Sequence, residues 1–224
     1  LRTYLALYFI ALHLITTPLV APLLAAIFGS FPVAQLSQFA PHTNLTMLLN
    51  RNYVVPELNE VLEQTASTLP PAVTLRYLDA NFPFVHEFPL LPHLSHNDGR
   101  KLDVAFVYLD AQGQPSAHGP SRSGYGVFEG PMPNEFDQTT FCKQAGYWQY
   151  DYSKYLTFGT RREPLHFAAP QTRALVASLL SQPQVEKVFL EPHLCHRLGL
   201  THPKLRFHGC GAVRHDDHIH LQVK

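Results

Sequence analysis

Two short runs in this chain carry residue types that bind metals and move protons. The first is Ser95-His96-Asn97-Asp98-Gly99-Arg100-Lys101-Leu102-Asp103, the pattern S-H-x-x-G-x-x-x-D. The second is His215-Asp216-Asp217-His218-Ile219-His220, the pattern H-x-x-H-x-H. Residues two apart on a strand share a face, so His218 and His220 project together if this run is extended. Asp103 stands at the head of a β-branched and aromatic run. Gly99 supplies a turn that lets His96 fold back beside it. Histidine and aspartate donors with one position left open make the composition of a catalytic zinc site. Zinc in such a site brings the pKa of bound water towards about 7, giving a nucleophile at neutral pH. A closed structural zinc site is the weaker reading, because it takes four Cys/His ligands and no C-x-x-C pair exists here. The histidine distribution agrees: five of the 14 (His202, His208, His215, His218 and His220) fall in the last 23 residues, where an even spread would put one or two.

These side chains must be positioned by neighbouring elements. Residues 56–68 (PELNEVLEQTAST) place Leu58, Val61, Leu62 and Thr65 at helical spacing behind a proline start. Val73–Leu78 and Lys101–Leu109 read as strands, residues 170–182 as a second proline-opened helix, and Val185–Leu190 as a short strand after it. HIHLQV, residues 218–223, alternates as a strand should. Strands and helices mix without a regular βαβ rhythm, which predicts an α+β fold: a small antiparallel sheet carrying the metal site, flanked by helices. Residues 111–164 are rich in Gly, Pro, Ser and aromatics with little periodicity, as functional loops are.

Seventeen basic side chains balance seventeen acidic ones, so no basic excess points to nucleic acid as a partner. The charges are uneven along the chain: Arg2 is the only charged side chain before Arg51. Residues 3–28 are almost wholly apolar and long enough to cross a bilayer once. Residues 1–29 therefore read as a membrane anchor or a signal peptide, 30–50 as an uncharged connector, and 51–224 as the domain with the chemistry. Both readings of the first segment send the rest of the chain out of the cytoplasm. Three cysteines, Cys142, Cys195 and Cys210, suit an exported protein with one disulfide and one thiol left over. Cys195–Cys210 closes the shortest loop and would brace the histidine cluster, but spacing does not decide the pairing.

The pattern H-x-x-G-x-x-x-D followed by a late H-x-H resembles the lysostaphin-type, D-Ala-D-Ala-type and hedgehog-like zinc proteins. It is most similar to the penicillin-insensitive murein endopeptidases, whose signature carries a third histidine just upstream, as His215 stands here. QTRALVASLLSQPQVEKVFLEPHL resembles the helix–strand segment those enzymes carry before the histidine cluster. The similarity spans roughly residues 70–224. The chain departs from the pattern after Asp103, where Val104-Ala105-Phe106 replaces a run that often holds a second acidic residue.

The resemblance implies that His96, Asp103 and His220 are zinc ligands. His218 is then the general base towards the nucleophilic water, and His215 a second-sphere group that stabilises the oxyanion or the leaving amine. It implies a Zn2+-dependent peptidase acting on peptidoglycan peptides in the periplasm, with the membrane as partner of the N-terminal segment. A D,D-carboxypeptidase, or a non-catalytic zinc-binding recognition module of the same fold, is the alternative. A membrane-anchored structural protein with a histidine-rich tail is the reading from a further class. Asp216 and Asp217 read as solvated acids or as supports for the site histidines. Tyr147 and Trp148 read as groove or core aromatics, and His193, His196, His202 and His208 as surface or structural groups. Nothing in the sequence bears on oligomeric state.

Overall fold

A computed structural model describes every residue except Leu1, Ser37, Ala72, His86, Pro89 and Pro92. The fold is mixed α+β. In chain order the elements are α1 (Arg2–Leu19), α2 (Ala21–Ile27), β1 (Phe31–Pro32), β2 (Phe39–Pro41), α3 (Asn44–Leu48), β3 (Tyr53–Val54), α4 (Pro56–Thr68), β4 (Leu75–Asp79), β5 (Lys101–Ala105), β6 (Tyr108–Leu109) and α5 (Gln138–Gln144). A 3-10 helix (Trp148–Tyr155) follows, then β7 (His166–Phe167), α6 (Ala169–Ser181), β8 (Val185–Phe189), α7 (Pro192–Arg197), β9 (Leu205–Arg206) and β10 (His218–Val223).

The main sheet has the strand order β2-β4-β5-β10-β8-β9. Its four central strands are antiparallel, but the outer pairs β2–β4 and β8–β9 are parallel, so the sheet is mixed rather than purely antiparallel. One face is apolar: Leu75, Tyr77, Leu102, Val104, Val188, Ile219 and Leu221 pack with Leu58, Val61 and Leu62 of α4 and with Leu175, Val176 and Leu179 of α6. Each fully buried Leu, Ile or Val contributes roughly 1.5–3 kcal/mol. This helical layer holds the sheet, and the other face is left free to carry polar groups.

The expected run Lys101–Leu109 is broken. Residues 101–105 stay in the main sheet, and Tyr108–Leu109 leaves it to pair with β7. Residues 30–50, read from sequence as a connector, carry β1, β2 and α3, and β2 forms an edge of the main sheet. Their strand partners lie 21 or more positions away (Pro32 with Tyr53, Phe39 with Leu75), which no local periodicity reveals. The disulfide joins Cys142 to Cys210, not Cys195 to Cys210, and Cys195 is the free thiol. It ties α5 to the loop five residues before His215, so that loop is braced from the long irregular segment and not from its sequence neighbour.

At the N-terminus α1 buries none of its side chains, and Tyr4, Leu5, Tyr8, Phe9 and Ile15 are exposed. It touches the rest through His13, whose Nε2 is 2.7 Å from the Leu48 carbonyl. In α2, Ala21 and Ala25 pack on Tyr53. No single helix among the described residues is long and apolar enough to cross a membrane; α1 and α2 together have the length and composition but are bent by 50°.

Candidate metal centre

The polar face of the sheet brings one row of side chains into line. Asp79 on β4 pairs in register with Asp103 on β5, and Asp103 with His220 on β10. A bulge at Leu78 shifts β4 so that Asp79, and not its neighbour, comes opposite Asp103. His218 lies two residues before His220 on the same face, while Ile219 and Leu221 point into the core. His96 enters from the loop before β5. Gly99 turns that loop with φ +76°, and the Gly99 carbonyl accepts the Val55 N–H at 2.9 Å.

Three donor atoms converge. His96 Nε2 is 3.2 Å from Asp103 Oδ1 and 3.3 Å from His220 Nδ1, and His220 Nδ1 is 2.8 Å from Asp103 Oδ1. His96 Nδ1 lies 3.0 Å from the Ala80 carbonyl, which can only accept, so Nδ1 carries the proton and Nε2 is the nitrogen turned to the cluster. His93 joins from the same loop, its Nδ1 2.9 Å from Asp79 Oδ2 and 3.3 Å from Asp103 Oδ2. His93, His96 and Asp103 form a buried group that could hold a metal ion. Arg51 closes the far end of the row by pairing with Asp79, its Nε donating to Oδ1 at 2.7 Å and its Nη2 to Oδ2.

The electrostatics follow from burying one carboxylate among imidazoles. Burial alone would raise the Asp103 carboxyl, but His96 and His218 outweigh it and hold the group well below its ordinary range. Burial opposes charge on His96, yet Asp103 raises its pKa. His218 is likewise opposed by burial, but Asp103 and Asp217 push it up to about 9. Burial lowers His220 to about 4, and burial with His218 and His220 beside it pushes His215 well below the ordinary histidine value. A divalent cation next to Asp103 would act against the carboxylate field and favour neutral imidazoles.

The structure brings all five sequence-predicted residues together. His215, His218 and His220 lie ring to ring, with centroids 4.9 Å apart for His215–His218 and 5.7 Å for His215–His220. They open on a cleft of about 540 Å³ that is also lined by His96 and Asp103. Asp217 is buried and accepts from His218 Nδ1, so it supports a site histidine. Asp216 instead pairs with Arg214 and takes no part in the cleft. Trp148 lines the cleft and is 73% exposed, while Tyr147 is exposed without lining it. His208, read as surface or structural, is exposed but stacks on His215 at 5.7 Å at the cleft wall. His193 is buried with Nε2 2.8 Å from the Glu129 carbonyl, His202 accepts the Lys204 N–H, and His196 is exposed.

Four site residues were not visible from the sequence: His93, Asp79, Arg51 and Tyr125. His93 stands three before His96, and that H-x-x-H spacing was the available signal. Asp79 ends a strand as an ordinary acid would. Tyr125 sits in the aperiodic segment, yet its hydroxyl donates to Asp103 Oδ2 at 2.8 Å. No protein-family model matches this chain, and no curated protein matches its sequence.

Proposed function

We propose that this chain is a zinc-dependent peptidase that hydrolyses amide bonds in peptidoglycan cross-links, as its resemblance to the murein endopeptidases implies. One observation carries the reading: His96 Nε2, Asp103 Oδ1 and His220 Nδ1 form a triangle with edges of 2.8–3.3 Å at the head of a cleft, with two more histidines beside it. Ligand atoms about 2.0–2.1 Å from a tetrahedral zinc lie roughly 3.3 Å apart, so the donor set fits zinc and leaves one position open. When bound there, zinc supplies Lewis acidity, polarising a carbonyl and bringing water's pKa towards about 7.

The chain's own residues supply the proton chemistry. Asp217 holds His218 Nδ1, which directs Nε2 into the site, 3.7 Å from Asp103 Oδ1. His218 Nε2 is placed to take a proton from the attacking water and return it to the departing nitrogen. His215, kept neutral by burial and its histidine neighbours, is positioned to steady the oxyanion or the leaving amine. The cleft has a volume of about 540 Å³, and Trp148 offers an exposed aromatic wall to it.

The same reading puts residues from about 50 onward outside the cytoplasm, with residues 1–29 as membrane anchor or signal peptide. It is supported by the unpaired apolar surface of α1 and by the Cys142–Cys210 disulfide, a bond that persists in oxidising compartments. The deciding experiment is hydrolysis of purified cross-linked muropeptides. Cleavage should be abolished by a chelator and restored by zinc. A protein that binds zinc stoichiometrically but leaves every cross-link intact would overturn the peptidase reading.

A further inference from the structure

The Asp103 carboxylate is divided between two sets of partners. Oδ1 faces His220 Nδ1 at 2.8 Å and His96 Nε2 at 3.2 Å. Oδ2 faces away from them, accepting from the Tyr125 hydroxyl at 2.8 Å, with His93 Nδ1 at 3.3 Å. Tyr125 comes from residues 111–164, the segment with no periodicity, and has no part in the proton chemistry above. We propose that Tyr125 is a positioning residue of the metal centre: it holds Asp103 Oδ2, so that Oδ1 alone is presented to the metal. The proposal rests on the zinc reading of His96, Asp103 and His220.

The backbone around Tyr125 is built for this task. Gly124 and Gly126 flank it with φ +91° and +80°, a region that side chains with a Cβ rarely adopt. A Cβ on Gly124 would come within 2.2 Å of Leu78 Cδ2, and one on Gly126 within 2.3 Å of the Ser153 carbonyl oxygen. The turn is therefore pressed between β4 and the 3-10 helix. Hydrogen bonds fix it from within: Ser123 Oγ accepts the Tyr125 N–H at 3.1 Å, and Ser121 Oγ accepts the Gly124 N–H at 3.0 Å. The next amide, Gly126 N–H, donates to Asp217 Oδ2 at 2.7 Å, on the carboxylate whose other oxygen holds His218. One turn thus secures both the carboxylate offered to the metal and the carboxylate behind the proposed base. A phenol suits the first duty because it is a rigid donor that places one O–H on one oxygen. Without it, Asp103 is free to rotate about its side chain or to offer both oxygens, and the donor triangle loses its geometry.

The test is zinc affinity, measured by competition with a chromophoric chelator on the full chain. Tyr125→Phe keeps the ring and should bind zinc about 10–100-fold more weakly, the usual cost of losing a partner behind a ligand. Ser123→Ala, which keeps the hydroxyl but loosens the turn, should weaken binding by a smaller factor. Tyr150→Phe removes an equally buried tyrosine–carboxylate bond, to Glu191, and should leave zinc affinity within about threefold of the parent. Cobalt in place of zinc should give a changed visible spectrum in Tyr125→Phe and the parent spectrum in Tyr150→Phe. Parental affinity and spectrum in Tyr125→Phe would overturn the proposal. If that variant does not fold, undiminished affinity in Ser123→Ala overturns it instead. A parent protein that binds no zinc removes the metal reading itself, an outcome distinct from either.

Discussion

His220 stands directly opposite Asp103 across the β5–β10 ladder, with Nδ1 2.8 Å from Oδ1. The pair is therefore set by sheet register and not by loop conformation. A slip of β10 by one residue would turn His220 away from Asp103 into the core and bring Ile219 and Leu221 out. The helices on the apolar face resist that slip, so the layer that stabilises the fold also aims the donors. Replacing His96, Asp103 or His220 by Ala should each abolish stoichiometric zinc binding, read as metal content after dialysis. His93→Ala should retain zinc, because His93 sits on the Asp103 oxygen turned away from His96 and His220. Zinc kept by His220→Ala and lost by His93→Ala would transfer the site to the His93, His96 and Asp103 group.

His218→Ala should keep zinc and lower kcat by roughly 10²–10⁴-fold, the size of a general-base contribution. Asp217→Asn should lower kcat by a smaller factor, since it leaves the imidazole in place but weakens its orientation. Loss of metal in His218→Ala would mean that the roles of His218 and His220 are exchanged.

Zinc affinity should rise with pH across the neutral range. Asp103 raises the pKa of His96, and a ligand must give up its proton to bind metal. His218, pushed up to about 9, sheds its proton too when a cation is placed beside Asp103. Calorimetry in buffers of different ionisation enthalpy should show protons released on binding at pH 7. Zinc uptake with no proton release would contradict the charge state argued for the metal-free site.

How much of this was legible in the sequence depended on the range of the interaction. Residues 56–68 and 218–223 form the helix and strand that their own periodicity predicts, because the apolar faces of both meet a core. That His96, Asp103, His215, His218 and His220 come together was legible because two short runs of neighbouring residues carry them. Asp79 and Tyr125 were not, since each reaches Asp103 through a strand pairing or a turn more than 20 positions away. The Cys142–Cys210 pairing spans 68 positions and was hidden for the same reason.

A buried carboxyl gives a stability prediction. Glu191 accepts from the Tyr150 hydroxyl at 2.6 Å and from the His215 N–H at 2.9 Å, and burial raises its pKa to about 7. Between the ordinary glutamate value and about 7 the folded state binds the proton more tightly than the unfolded chain. Stability from this group is therefore full at low pH and is lost as pH rises through that window, by up to about 3 kcal/mol. Glu191→Gln should remove the dependence, giving a flatter profile of denaturation midpoint against pH between about 5 and 7. An unchanged slope in that variant would show that Glu191 is ionised in the folded protein throughout.

Location is tested through the first segment. α1 exposes Tyr4, Leu5, Tyr8 and Phe9 without a protein partner among the described residues, and burying such surface is worth about 25 cal/mol per Å². Charged side chains are absent from residues 3–28, where His13 is the one ionisable group besides the tyrosines, and Arg2 lies on the side that the positive-inside rule leaves in the cytoplasm. The bend of 50° between α1 and α2 need not survive in a bilayer, where the backbone must satisfy its own hydrogen bonds. Protease added to spheroplasts should therefore degrade residues 51–224 if they face outward, and a chain cleaved at a signal site should appear in the soluble periplasmic fraction. Protection until the cells are lysed would refute export. The peptidoglycan assignment would fall with it, while the proposed metal site, argued from the geometry of His96, Asp103 and His220 and not from location, would stand.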